Sequence, residues 1–161
     1  VLDVQGRLHG LQRIWPDGTK RFTSGTAKAG HFFMIGSPTD VSTICIAEGY
    51  ATGATVHQAT RHPVAVAFDS GNLQPVAEVL RAALPNALLV VCADDDHRTE
   101  GNPGLTLATS AAHAVGGLLA TPAFPGTRGP GETDFNDLAQ SAGFEAVRLQ
   151  VAGAVEVPCS E

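Results

Sequence analysis

The sequence predicts an α/β domain, a parallel sheet of about four strands with helices on both faces, preceded by a small antiparallel β extension. Three observations carry this. Four short apolar runs recur after residue 40, each separated from the next by a helical stretch. The runs are continuously apolar rather than alternating, as expected of strands covered on both faces. The first 37 residues instead place an Asp-Gly turn between two short strand-like segments. The expected divisions are an extension at 1–37, the α/β domain at 38–150 and a C-terminal tail at 151–161.

In the extension, Leu11-Gln-Arg-Ile-Trp15 and Lys20-Arg-Phe-Thr23 flank Pro16-Asp17-Gly18, a hairpin signature. His31-Phe-Phe-Met-Ile35 adds a third strand-like run, ended by Gly36-Ser-Pro38. The α/β part opens with Thr43-Ile-Cys-Ile-Ala47, then a helix over Tyr50 to Arg61. Pro63 to Phe68 is the second run, and a helix follows with Leu73, Val76, Ala77, Leu80, Ala83 and Leu84 on one face. Asn72 is the expected cap of that helix. Ala87 to Ala93 is the third run, Leu105 to Val115 the next helix, and Leu118 to Thr121 a weaker fourth run. A Gly/Pro-rich loop at 127–131 leads to a short last helix over Phe135 to Ala142.

The chain has 161 residues, 43% hydrophobic and 16% charged, a globular composition for one domain. No apolar run approaches the ~18–20 residues of a membrane span, so no membrane role is expected. The three cysteines, Cys45, Cys92 and Cys159, are odd in number and far apart. With no CxxC pair or His/Cys cluster to suggest zinc, they point to a reducing, cytoplasmic setting. Starting at Val1, the chain reads as a segment of a longer polypeptide. Residues 1–28 carry five basic and two acidic side chains, a net +3, while residues 29–161 carry five and 14, a net −9. An acidic body repels nucleic acid unless its carboxylates hold divalent cations.

The carboxylates fall where such a site would form. Ligands of open α/β sheets bind outside the carboxyl ends of the strands. Glu48 follows the first run, Asp69 the second, Asp94-Asp95-Asp96 the third, and Asp134 the fourth run and its loop. Three consecutive aspartates repel one another unless a hard cation offsets them, and oxygen ligands suit Mg²⁺ or Mn²⁺. Alternation past a strand lets Asp94 and Asp96 share a face while Asp95 points away. A solvated acidic turn with a helix-capping aspartate is the plainer alternative. Gly49 and Gly53 fit helix entry and close packing on the sheet, and match neither a dinucleotide fingerprint nor a P-loop. No Ser/His/Asp arrangement supports a triad.

Ile44-Cys-Ile-Ala-Glu48-Gly49 resembles the first Toprim motif, and Val90-Val-Cys-Ala-Asp94-Asp95-Asp96 its Asp-x-Asp motif. The resemblance covers about residues 41–145. Thr133-Asp-Phe-Asn-Asp-Leu138, Gly10 to Phe22, Gly30 to Gly36 and Gly71-Asn-Leu73 resemble segments of plasmid- and phage-type primases or primase-helicases. A zinc-binding module, a basic lobe and a helicase motif have no counterpart in these residues. The resemblance implies a Toprim, Rossmann-like fold and Mg²⁺- or Mn²⁺-dependent synthesis of short primers. It implies Glu48 as general acid/base and Asp94 and Asp96 as metal ligands, with Asp134 as a further ligand. Arg21 and Lys28 are candidates for gripping template or incoming triphosphate. The implied partners are single-stranded DNA, nucleoside triphosphates and a replicative helicase in cis or trans. A metal-dependent nuclease and a non-catalytic nucleic-acid-binding module of a replication protein remain as alternatives.

Overall fold

The computed structural model describes residues 1–39 and 41–158. In chain order the elements are β1 (Gln12–Ile14), β2 (Lys20–Phe22), β3 (Phe33–Ile35), β4 (Thr43–Ala47) and α1 (Tyr50–Thr60). There follow β5 (Val64–Val66), a 3₁₀ turn (Ser70–Asn72), α2 (Leu73–Ala83), β6 (Leu88–Cys92) and α3 (Pro103–Ala114). The chain continues through β7 (Leu118–Ala120), α4 (Phe135–Ala152) and β8 (Val155–Glu156). β1 and β2 form the predicted hairpin, with Gln12 opposite Phe22 and Ile14 opposite Lys20.

The other six strands form one sheet in the order β3-β5-β4-β6-β7-β8. Its centre, β5-β4-β6-β7, is the predicted parallel set of four. Two antiparallel edges extend it. β3 pairs with β5, joining the His31–Ile35 run to the main sheet, and β8 pairs with β7. Edge pairing of this kind leaves no parallel strand with an open hydrogen-bonding edge.

Strand alternation divides the core into two layers. Ile44, Ile46, Leu89 and Val91 point to one face, where Leu73, Val76 and Leu80 of α2 and Ala108, Ala111 and Ala112 of α3 cover them. Cys45, Ala47, Val90 and Cys92 point to the other, covered by Val56 of α1 and by Phe135, Leu138, Val147 and Val151 of α4. Cys45 and Cys92 are free, buried thiols acting as small hydrophobes, and Cys159 lies outside the described residues. α1 can approach the sheet because of Gly53, where a Cβ would lie 2.8 Å from Cγ2 of Val66.

Two local expectations are corrected. The helix expected over Phe135 to Ala142 forms, but it is not the last. A left-handed Gly143 (φ 81°) kinks it, and a second segment continues to Ala152, anchored by Val147 and Val151. Asn72 is not a side-chain cap of α2. Its buried amide accepts from the Gly30 N–H at 2.8 Å and donates to the carbonyls of His31 (2.9 Å) and Ala67 (2.7 Å). The chain ahead of β3 presents unpaired backbone groups there, and satisfying them outweighs one helix cap. Among the described residues no helix is long and apolar enough to cross a membrane.

Candidate active site

The register of the parallel strands builds the site. Ala47 of β4 lies opposite Cys92 of β6 and Val66 of β5. Glu48 and Asp94 thus emerge from adjacent strands, about 5 Å apart laterally. Asp69 follows β5 at the same edge of the sheet. The Phe68 N–H donates to the Glu48 carbonyl at 2.8 Å, which carries the pairing one residue beyond the strands.

Asp94 is the electrostatic centre. Burial, then the carboxylates of Glu48, Asp134 and Asp96, push its pKa up to about 8, and Lys20 opposes them. Its Oδ1 is buried without a hydrogen-bond partner. Burial first, then Asp96 and Asp69, raise Glu48 as well, again against Lys20. A carboxyl that is buried with an unpaired oxygen and ringed by other carboxylates offers a place for a cation, which would let it ionise. The donor set is all oxygen, which suits a hard divalent ion such as Mg²⁺ or Mn²⁺.

Asp96 sits against the first turn of α3. Its Oδ2 would lie 2.9 Å from a Cβ on Gly104, and the Asp94 carbonyl oxygen 2.5 Å from it. Only glycine fits there, a requirement unreadable before the loop is seen folded onto the helix. Asp95 points away from the cluster. Its side chain meets Asn102 Nδ2 at 2.5 Å and Arg128 Nη1 at 2.5 Å. Burial works to raise its pKa, but these hydrogen bonds prevail and hold it below the ordinary carboxylate range.

The Asp134-Phe135-Asn136-Asp137 segment also has local work. Asp134 caps α4, its Oδ1 accepting from the Asp137 N–H at 2.9 Å in a capping box. Its Oδ2 accepts from Thr52 Oγ1 at 2.8 Å, and Thr55 Oγ1 donates to Asn136 at 3.1 Å. Phe135 is fully buried. The Asp95 N–H donates to the Thr133 carbonyl at 2.7 Å, tying this segment to the aspartate loop. Each Asp134 oxygen keeps a second lone pair, so capping and coordination are compatible.

Glu48, Asp96 and Asp134 thus each act on Asp94 through their charge. The two predicted basic residues are not equally close. Lys28 pairs with Asp69 at 2.6 Å and lies over the Phe22 ring, 5.3 Å from its centroid. Arg21 lies opposite Arg13 in the hairpin and lines a shallow cleft with Trp15, Asp17 and Thr19. Sequence reasoning missed Lys20, the cation that does act on Glu48 and Asp94. Period two carried the signal: Lys20 shares its strand face with Phe22, which packs edge-on against Phe68 at 5.6 Å.

The profile of the Toprim domain family matches residues 43–145. Two Escherichia coli proteins named DNA primase TraC are 44% and 41% identical to the chain, over 83% and 77% of it. The chain spans only 13% and 9% of their lengths. A DnaG primase catalytic domain bound to single-stranded DNA superposes with a TM-score of 0.65, over 98% of this chain and 51% of that one, at 16% identity. The DnaG catalytic core gives 0.58 over 98% and 52%, also at 16% identity. Both share the fold. With the family's Glu-Gly and Asp-x-Asp motifs at adjacent strand ends, the chain belongs to the Toprim domain family.

Proposed function

We propose that the chain is the catalytic Toprim domain of a plasmid-type DNA primase, making short primers on single-stranded DNA from nucleoside triphosphates. The observation that carries this reading is the buried, unpartnered Asp94 oxygen beside Glu48 at the carboxyl edge of the sheet. The primase names of the 44% and 41% identical proteins support it, as does the fold shared with a single-stranded-DNA-bound primase domain.

Asp94 and Asp96, with Asp134 beside them, hold Mg²⁺ or Mn²⁺. The ion, when bound, neutralises triphosphate charge and makes a hydroxyl easier to ionise. Glu48 is the acid/base group. Burial raises its carboxyl above the ordinary value, which makes it a better acceptor for the proton of the primer 3′-hydroxyl, and that proton then passes to the departing pyrophosphate. Lys20 limits the negative potential at the cluster. Lys28 and Arg21 grip the polyanion. The Lys28–Asp69 pair is partly exposed on both sides, so a phosphate can replace the carboxylate as its partner. A replicative helicase is the proposed partner in the full protein.

The test is Glu48→Gln in the full-length protein. Primer synthesis falls by at least ~10²-fold, while affinity for single-stranded template stays within about twofold. Gln preserves size and most hydrogen bonding, so the fold is retained. Synthesis that survives, or template binding that collapses, overturns the acid/base role. Products are analysed alongside rate, because template fragments in place of ribonucleotide primers would make the domain a nuclease.

A further inference from the structure

A second cluster lies outside the acidic site, in the β extension. Asp3, His9 and His31 each present a potential ligand atom, and the three atoms lie within 4.8 Å of one another. They come from distant points of the chain, brought together when Leu2 bridges both Leu8 and Phe32. The His9 N–H donates to the Val1 carbonyl at 2.9 Å, and the Leu2 N–H to the Phe32 carbonyl at 2.8 Å. Neither histidine stands in a ligand-like sequence spacing, so only the fold reveals the group.

Asp3 is buried, 8% exposed, and held as an anion. Its Oδ1 accepts from the N–H groups of Gln5 (3.0 Å) and Arg7 (2.9 Å). Its Oδ2 lies 3.0 Å from His9 Nε2 and 2.6 Å from Arg7 Nε. The His9 and His31 rings lie with centroids 4.0 Å apart, tilted by 32°. His31 Nδ1 is buried and has no hydrogen-bond partner. A buried ring nitrogen without a partner loses the hydration it had in the unfolded chain and gains nothing. This is the second, independent sign of a missing ligand.

We propose that Asp3, His9 and His31 bind a divalent transition-metal ion of the Zn²⁺ class, clipping the N-terminal segment to the run that becomes edge strand β3. Two imidazole nitrogens and one carboxylate select Zn²⁺, Co²⁺ or Ni²⁺ over Mg²⁺, which prefers oxygen. Ligand atoms of a tetrahedral zinc site lie about 3.4 Å apart, from metal–ligand bonds near 2.1 Å, so side-chain shifts of about 1.5 Å or less close the group. Arg7 is the only competitor for Asp3 Oδ2 besides His9 among the described contacts, and its side chain is 74% exposed and free to swing into water. Three protein ligands leave the fourth position to water. The clip is independent of the primase reading, because it needs neither Glu48 nor the aspartate loop.

The test is a Zn²⁺ titration of the full chain followed by ¹⁵N imidazole NMR, in wild type and in Asp94→Asn/Asp96→Asn. At one equivalent, the His9 and His31 ring nitrogens shift and those of His57, His62, His97 and His113 do not. The same shifts appear in the double variant, which separates this site from the acidic one. Saturating Zn²⁺ raises Tm by at least ~3 °C, and His31→Gln removes most of that rise. Unshifted His9 and His31 resonances in the wild type overturn the proposal, as does a His31→Gln variant stabilised as much as wild type. The NMR result stands even where a variant folds poorly.

Discussion

Asp94 sets the energetics of the metal-free domain. Its pKa of about 8 in the fold, against about 3.9 for a free Asp side chain, means the native state binds a proton the unfolded chain has released. Between those values the native state holds more protons, so stability falls as pH rises. The advantage is complete below about pH 4 and gone above about pH 8. Glu48, raised chiefly by burial, acts in the same direction. In EDTA, urea denaturation should show unfolding free energy falling from pH 5 to pH 8, at a slope on the order of the ~1.4 kcal/mol per unit that one full proton gives. Asp94→Asn flattens that slope and stabilises the metal-free protein at pH 8. In millimolar Mg²⁺ the wild-type slope shrinks and the variant's does not change. A wild-type slope of zero in EDTA would mean that Asp94 is solvated.

At the scale of the element, the N-terminus of α4 combines two tasks that substitutions can separate. Asp134→Asn keeps an N-cap acceptor, so by the similar capping strength of Asn and Asp the stability change stays under about 0.5 kcal/mol. The negative charge beside Asp94 is lost, so Mn²⁺ affinity and primer synthesis both fall, by about tenfold. Asp134→Ala loses the cap and the Thr52 contact too, and unfolds about 1–2 kcal/mol more easily. An Asn variant with wild-type Mn²⁺ affinity would leave Asp134 as a cap only. These elements also show what a sequence discloses. Runs such as Ile44–Ala47 and Leu89–Cys92 were readable because burial on both faces demands unbroken apolar residues. The candidate acids were readable because they directly follow those runs. The second half of α4 was not, since Gly143 takes a left-handed conformation that reads as a stop. Nor was β8, two exposed residues whose only claim to strandhood is the edge of β7. Gly104 and the Asp3–His9–His31 group depend on contacts between distant segments, which no local period encodes, whereas strand alternation places Lys20 on the face of Phe22.

For the whole molecule, the question is how a basic extension of net +3 stays fixed beside a body of net −9. Long-range attraction between them is screened within about 8–10 Å at ordinary salt, so the geometry must come from short-range contacts. The Lys28–Asp69 pair is partly exposed and contributes little. Asn72 is better placed. From the 3₁₀ turn after β5 it bonds to Gly30 and His31 of the extension and to Ala67 of the sheet. Asn72→Ala leaves one N–H and two carbonyls without their partner, the Ala67 carbonyl buried and the other two groups partly so, at about 1–3 kcal/mol for each group that water cannot reach. A net loss of about 2–4 kcal/mol is expected. It should be uneven: the amides of Leu2, Gly30 and Phe32 lose hydrogen-exchange protection by more than those of Ile46 and Val91, because opening the extension no longer breaks the Asn72 bonds. Template affinity then falls while metal binding at Asp94 and Asp96 does not, since the parallel strands that carry the acids keep their register. Suppose instead that protection drops equally at Gly30 and Val91. Extension and sheet would then unfold as one cooperative unit, with the β3–β5 pairing and the Leu2–Phe32 bridge holding the basic segment in place and Asn72 only adding to global stability.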